Sequence, residues 1–392
     1  MDNIRQFVRK TSPPQLVRQT LRTTLLMPPV AARATIAEMT KPTKKQKRWV
    51  KKIKRESWKG VIIAPNLRKY DEETALIHLK NADIVIFKIH GGGFRVGNAV
   101  MYMETFINWI EEIKTRHNMN AVILSIEYGL APKHTYPAPV LECVEAYKYV
   151  TETLCIPASK IVLSGDSAGG AMVLETLIRT YAPGLLFDAD SPRENTRIDL
   201  PAGMLLVSPL VTPGCSSKSW QEFEKTDLVS FGLRKLVYKE FLDCKRVDVD
   251  SLPIVHLTER LQRGFDRFAP KQAMVFVGEK EVFRDDVLAL AETVQADGYC
   301  QVHIHSENYE HDWYFIREIV KQKDRPMLKR HDQRFADFAV QAVKEATLQS
   351  RHEINETLLP APEQVVSKIL QDITPPPALT THPALTSEIV VP

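Results

Sequence analysis

The stretch that decides the fold is Ile161-Val162-Leu163-Ser164-Gly165-Asp166-Ser167-Ala168-Gly169. Its first residues are apolar, as expected of a buried strand, and a helix is predicted to begin near Ala168. Between the two lies Ser167, in a bend so tight that larger side chains in place of the flanking Gly165 or Gly169 would clash with the strand and helix. The pattern predicts a strand-turn-helix unit that presents the Ser167 hydroxyl beside a helix N-terminus.

A second apolar run lies upstream, at residues 83–89, and leads into His90-Gly91-Gly92-Gly93-Phe94. Consecutive glycines allow backbone N–H groups to face a ligand without obstruction by side chains. A flexible turn is the alternative interpretation of the three glycines. Their position ahead of the serine bend favours a loop whose N–H groups, with that of Ala168, stabilise negative charge on an oxygen. His90 is interpreted as a structural part of this loop.

A third segment, Tyr128-Gly129-Leu130-Ala131-Pro132-Lys133, follows the apolar run 121–126. The three segments in this order resemble the hormone-sensitive-lipase-like branch of the α/β-hydrolases. The likeness is strongest at residues 90–94 and 165–170, whereas Gly129 and Lys133 stand where the family carries arginine and glutamate. Residues 208–210, 220–227 and 311–313 are similar to fungal esterases of the sterol-deacetylase type, which is a narrower likeness.

The resemblance implies an α/β-hydrolase fold, with a mostly parallel eight-stranded sheet, helices on both faces and a helical cap. Alternating strand-like and helix-like runs from residue 82 onward favour the same class. Residues 1–59 are expected to form a basic segment and part of the cap, and residues 60–350 the catalytic domain, with a cap insertion at about 212–268. Residues 351–392, which are rich in proline, are expected to be a disordered tail.

The activity implied by the resemblance is hydrolysis of carboxylic esters through an acyl-enzyme on Ser167. Gly91, Gly92, Gly93 and Ala168 would then form the oxyanion hole, and Gly165, Asp166 and Gly169 would shape the bend. The likeness to fungal deacetylases implies short acyl groups, above all acetyl, on a bulky apolar alcohol such as a sterol. Hydrolysis of an amide such as a formamide, and a non-catalytic ligand-binding role, remain as alternatives.

The catalytic acid is sought after the apolar run 273–277, in the stretch Gly278-Glu279-Lys280-Glu281-Val282-Phe283-Arg284-Asp285. The family pattern aligns Glu281 with the acid and Asp285 with a helix-capping partner. Glutamate is chemically adequate, because the acid must accept the imidazole N–H and stabilise the imidazolium. Glu279 is the nearest rival and Asp285 a weaker one. These acids could also simply occupy a helix N-terminus, where negative charge is favourable.

The base is chosen among eleven histidines. His303 and His305 alternate with apolar residues and are therefore predicted to point to one face of a strand. His311 follows that strand in a loop, which is where the triad histidine belongs. The sequence analysis therefore predicts a triad of Ser167, Glu281 and His311.

The five cysteines are scattered without a Cys-x-x-Cys pair, which predicts neither a zinc site nor a disulfide framework and favours an intracellular, reducing location. No metal or other cofactor is expected. The apolar residues between Leu21 and Ala32 are interrupted by Arg22 and by two prolines, so no transmembrane helix or signal peptide is predicted.

Residues 1–59 carry a net charge of +13, against +4 for the whole chain. Ten of these cations lie between Lys41 and Lys59, interleaved with Trp49 and Trp58. The segment could rest on an anionic membrane surface, such as that of the endoplasmic reticulum. The sequence alone favours the alternative interpretation, a solvated edge strand. Nucleic-acid binding is not expected, because no recognition fold accompanies the charge.

Overall fold

The computed structural model describes residues 11–187, 199–242 and 261–358. Within these ranges eight strands form one sheet in the order β1-β2-β4-β3-β5-β6-β7-β8. β1 and β2, and β2 and β4, are antiparallel, and all other neighbouring strands are parallel. The strands are β1 Val50–Lys54, β2 Lys59–Ile63, β3 Ile84–Ile89, β4 Ala121–Ile126, β5 Ile161–Asp166, β6 Gly203–Val207, β7 Gln272–Gly278 and β8 Gln301–Glu307.

The helices cover both faces of this sheet. They are α1 Pro14–Leu26, α2 Pro29–Met39, α3 Glu72–Lys80, α4 Met103–His117, α5 Ala138–Lys148, α6 Ala168–Tyr181, α7 Lys218–Phe223, α8 Phe231–Val237, α9 Arg284–Asp297 and α10 Arg325–Leu358. Shorter 3₁₀ turns lie at Gln46–Trp49, Leu67–Lys69, Ala158–Lys160, Pro183–Leu186, Phe265–Arg267, Arg317–Ile319 and Gln322–Asp324, and π turns at Tyr149–Thr153 and Tyr238–Leu242.

The sheet is buried because successive side chains along each strand point alternately into two apolar cores, one on each face. In β3, Val85 and Phe87 pack into the core beneath α3, α5, α6 and α9, whereas Ile84 and Ile86 pack into the core beneath α4 and α10. A parallel strand covered on both faces needs an apolar residue at nearly every position, which explains the continuous apolar runs of the sequence. The predicted fold class is confirmed.

The resemblance predicts a cap built from two parts of the chain, and α1 in the first part contacts α8 in the second. α1 and α2 supply one part, and the insertion after β6 supplies the other; of that insertion, residues 243–260 lie outside the described residues. The helix expected over 232–244 is α8 followed by a π turn that ends at Leu242. The Arg95 side chain joins the two parts, because it donates to the Leu25 carbonyl at 2.5 Å and pairs with Glu240 at 2.7 Å.

The chain divides into two compact units, residues 1–347 and residues 348–392. α10 runs through Leu358, so the tail expected from residue 351 is helical at its start. The physical reason is that the first proline of this region is Pro360, and nothing before it breaks a helix. The proline-rich stretch itself lies outside the described residues. Among the described helices, none combines the length and the apolar character needed to cross a bilayer.

Candidate active site

The turn between β5 and α6 holds Ser167 in a strained backbone conformation, with φ of 49° and ψ of −120°. Close packing requires the glycines on either side. A Cβ on Gly165 would lie 2.4 Å from the Gly169 carbonyl oxygen, and a Cβ on Gly169 would lie 2.4 Å from the Ile89 carbonyl oxygen. Strain of this kind is typical of functional positions, and here it aims the serine hydroxyl away from the sheet.

His311 lies in the loop after β8, and its Nε2 is 2.9 Å from Ser167 Oγ. Burial lowers the pKa of His311 to about 3. The imidazole is therefore neutral at physiological pH, as a general base must be. His303 and His305 lie within β8 as the alternation indicated, and His303 contacts Gln272 at 3.2 Å instead of the serine.

Glu281 is fully buried directly after β7. Its Oε2 accepts hydrogen bonds from the Ser208 hydroxyl at 2.6 Å and from the Gly278 N–H at 2.9 Å. Among the described residues, its Oε1 has no hydrogen-bond partner, and neither has the Nδ1 of His311. These are the two atoms that a serine-histidine-acid triad joins, although no hydrogen bond links them here. Burial raises the pKa of Glu281 well above its ordinary value.

The rival acids lie elsewhere. Glu279 is exposed. Asp285 lies in the first turn of α9, pairs with Arg284 at 2.8 Å and accepts the Ser219 N–H at 2.8 Å. The N-cap position of α9, the helix that contains Asp285, is occupied by Phe283. Asp285 instead satisfies one of the free N–H groups at the start of α7.

The glycine loop supplies fewer free donors than expected. The Gly91 N–H donates to Asp166 Oδ2 at 3.0 Å, so the prediction that Gly91 belongs to the oxyanion hole is wrong. Gly92, Gly93 and Ala168 line the cavity beside Ser167 and remain the candidate donors. Ala168 is the first residue of α6, where backbone N–H groups have no partner within the helix.

His90 has a structural environment. Its ring stacks on Tyr128 with the centroids 4.3 Å apart, and its Nδ1 lies 2.7 Å from the Gly91 carbonyl oxygen. The Tyr128 hydroxyl in turn donates to the His90 carbonyl at 2.7 Å. These contacts shape the glycine loop, and in the described residues no hydrogen bond joins His90 to Ser167 or His311.

A buried ion pair behind the nucleophile was missed by sequence reasoning. Lys88, on β3, is fully buried and pairs with Asp166, whose Oδ2 also accepts the Tyr102 hydroxyl at 2.6 Å. Asp166 therefore ties the nucleophile turn to the glycine loop through the Gly91 N–H. The available signal was a lysine inside an otherwise apolar strand, because a buried charge requires a partner.

Two further aspartates were also missed. Asp227, from the cap insertion, accepts the N–H groups of His311 at 2.9 Å and Val282 at 2.8 Å, which joins the histidine loop to the acid loop. Burial raises its pKa to about 7. Asp312 has φ of 58°, and its Oδ2 lies 3.4 Å from His311 Nε2. Both residues stood in stretches that resemble fungal deacetylases, but the partners of Asp227 are distant along the chain.

The pair of Ser167 and His311 opens on a cavity of about 680 Å³. Its wall is mainly apolar and comes from the nucleophile helix, the two N-terminal helices and the cap insertion. Apolar side chains of the cap in this wall include Leu16, Leu21, Leu25, Ile36, Val229, Leu233, Val237 and Phe241. In the described part of the chain, no cluster of His, Cys, Asp and Glu could hold a metal ion. The chemistry the site offers is nucleophilic acyl transfer by a serine activated by histidine.

Comparisons with known proteins agree with this geometry. A family model described by its alpha/beta hydrolase fold matches residues 86–315. A putative α/β hydrolase of Acanthamoeba polyphaga mimivirus is 24% identical over 241 residues, which are 60% of this chain and 63% of that protein. Lipase 2 of Moraxella sp. (strain TA144) is 25% identical over 266 residues, which are 62% of this chain and 59% of the lipase. The matches thus span less than two thirds of these curated relatives.

A shorter match, to the hormone-sensitive lipase of Bos taurus, is 33% identical over 104 residues, which are 26% of this chain and 13% of the lipase. Among solved structures, an esterase from the bacterial hormone-sensitive lipase family has a TM-score of 0.62 at 19% identity, covering 84% of this chain and 98% of that one. With the Ser167 bend, the glycine loop and the serine-histidine pair in place, the chain belongs to the α/β-hydrolase family, and over a shorter stretch it is similar to hormone-sensitive lipase.

Proposed function

We propose that this protein hydrolyses carboxylic esters through an acyl-enzyme on Ser167. The observation that carries the proposal is the 2.9 Å contact between His311 Nε2 and Ser167 Oγ at the end of a largely apolar cavity. A serine hydroxyl is a weak nucleophile until a neutral base accepts its proton, and the lowered pKa of His311 keeps that base neutral. The lipase name of the Moraxella relative supports ester chemistry of this kind.

The reaction follows from the positions of these groups. His311 Nε2 takes the Ser167 proton as Oγ bonds to the ester carbonyl carbon, and the N–H groups of Gly92, Gly93 and Ala168 stabilise the resulting oxyanion. Glu281 is the group proposed to hold the imidazole and to stabilise its charge. The tetrahedral intermediate collapses as the imidazolium protonates the departing alcohol. A water deprotonated by His311 then releases the acid and restores the serine.

We propose short acyl groups, above all acetyl, on a bulky apolar alcohol such as a sterol. The cavity supports this choice, because about 680 Å³ lies within the usual range for sites that enclose a small molecule. The apolar cap side chains, such as Leu25, Leu233 and Phe241, would shelter a hydrophobic alcohol from water.

The test compares p-nitrophenyl esters of increasing acyl length, a sterol acetate and acetyl-p-nitroanilide, with Ser167→Ala as the control. We expect turnover of the acetyl esters that disappears in Ser167→Ala. Faster turnover of the anilide than of every ester would assign an amide hydrolase to the same groups. If neither esters nor amides are turned over while a ligand binds, the fold serves as a binding module.

We further propose that the basic edge of the sheet contacts anionic membrane. Lys52 and Lys54 on β1 are exposed, and so are Lys47 and Arg48 in the turn before it. Each cation near anionic lipid contributes about 1 kcal/mol, so a few contacts suffice for reversible attachment. Trp58 is buried and cannot contact the membrane, so the aromatic side chains contribute less to membrane binding than the sequence alone suggested.

Flotation with phosphatidylserine vesicles at low and high salt tests this attachment. We expect recovery with anionic vesicles that falls as salt screens the charges, and a loss of recovery in Lys52→Glu/Lys54→Glu. Equal recovery with neutral and anionic vesicles, or no recovery with either, would leave β1 as a solvated strand.

A further inference from the structure

One face of the nucleophile helix α6 forms a wall of the cavity. Ala168, Ala171, Met172 and Glu175 all line it, at the spacing of residues that share a helix face. Three of the four are apolar, whereas Glu175 brings a carboxyl group into the wall. Glu175 follows Ser167 by eight residues, so the Cα atoms of the two residues are about 12 Å apart along the helix axis.

The Glu175 carboxyl group is fully buried, and in the described residues only one of its two oxygens has a hydrogen-bond partner. Its Oε1 accepts the Tyr136 hydroxyl at 2.8 Å and the Arg179 Nε at 2.7 Å. Its Oε2 has no hydrogen-bond partner in the described residues. A buried polar atom without a partner is costly, and native structures normally supply one from the protein, from water or from a ligand.

We propose that Glu175 determines substrate specificity by hydrogen bonding, through Oε2, a hydroxyl group carried about 12 Å from the scissile carbonyl of the ester. This inference rests on the proposed esterase function, since it assigns a second recognition point to the same cavity. The substrate class is an ester with an apolar body and a distal hydroxyl, which lies on the alcohol part when the acyl group is the acetyl proposed above and on the acyl part of longer-chain esters.

The surroundings of Glu175 favour a hydroxyl over other polar groups. Arg179 already pairs with the carboxylate at 2.6 Å, so a ligand ammonium would find little unbalanced negative charge. Burial raises the pKa of Glu175, with Arg179 opposing that effect. A hydroxyl can donate to the ionised form and accept from the protonated form, whereas a ketone can only accept. The hydroxyl is therefore suited to both protonation states.

The experiment uses two matched substrate pairs. One pair is p-nitrophenyl decanoate and p-nitrophenyl ω-hydroxydecanoate, and the other is decyl acetate and the monoacetate of the corresponding α,ω-diol. We expect the wild-type enzyme to favour the hydroxylated member by about tenfold in kcat/KM in one pair, since a hydrogen bond to a buried carboxyl group is among the stronger ones. The pair that shows the preference identifies the part of the ester that reaches Glu175.

The variants separate recognition from folding. Glu175→Met offers no hydrogen-bond partner, so the ratio of hydroxylated to plain substrate should fall to about one or below, whereas Glu175→Gln should retain most of it. The matched control Glu145→Gln, on the exposed face of α5, should keep the wild-type ratio. A merely structural role of Glu175 would lower both members of a pair equally and leave the ratio unchanged.

Calorimetric binding of both members to Ser167→Ala measures the same preference without turnover. If no ester is hydrolysed but the hydroxylated member binds more tightly, the proposed function fails and the recognition by Glu175 stands. A wild-type ratio near one in both pairs, or a ratio that survives Glu175→Met, overturns the inference while leaving ester hydrolysis intact.

Discussion

Replacement of Glu281 by glutamine changes one atom and should disable the base. Ser208 and Gly278 both donate to Oε2, so the amide oxygen of the glutamine will take that place and its NH₂ will face His311 Nδ1. Nδ1 must then accept a hydrogen bond, which puts the ring proton on Nε2, the atom 2.9 Å from Ser167 Oγ. A protonated Nε2 cannot take the serine proton.

The expected loss in kcat is about 10²- to 10⁴-fold, equivalent to roughly 3–5 kcal/mol of transition-state stabilisation. The assay is steady-state hydrolysis of p-nitrophenyl acetate at neutral pH, with thermal unfolding as a check on the fold. Glu279→Gln is the matched control, because Glu279 is exposed in the same loop, and it should cost little. A small loss for Glu281→Gln, or a larger one for Glu279→Gln, would refute the assignment of the acid.

The acid limb of kcat/KM should lie at lower pH in Glu281→Gln than in the wild type. Burial lowers the pKa of His311 to about 3. The Glu281 carboxylate opposes that shift by stabilising the imidazolium, so its removal should lower the histidine pKa further. Activity is lost as pH falls through the histidine pKa. A pH profile with an unmoved or raised limb would contradict this. Lys88→Met should lower the free energy of unfolding by about 3–5 kcal/mol, because it leaves Asp166 buried without its cation. Urea denaturation measures this, and a loss below about 1 kcal/mol would show that the pair is dispensable.

The sequence was sufficient for the parts of the site that are local. The Ser167 bend, the glycine loop and the position of His311 after β8 each depend on a short stretch whose residue types serve one backbone geometry. The parallel sheet followed from apolar runs that only burial on both faces explains. For these features, neighbours along the chain carry most of the information.

The missed or mistaken features depend on contacts between distant segments. Asp166 takes the Gly91 N–H because β3 and β5 are adjacent in the sheet, and no glycine motif reveals that contact. Asp227 reaches His311 across 84 residues, so its role requires the folded cap. Glu175 would be interpreted as a solvated helix residue until the wall of the cavity is known.

The central claim is that Ser167 is the nucleophile, and a fluorophosphonate probe tests it most directly, because the probe bonds covalently only to an activated serine. Wild-type protein should be labelled, and mass spectrometry of its peptides should place the adduct on Ser167. Ser167→Ala, which changes one side chain in the turn after β5, should remain folded and take up no label. Labelling of Ser167→Ala at the wild-type rate would contradict the account.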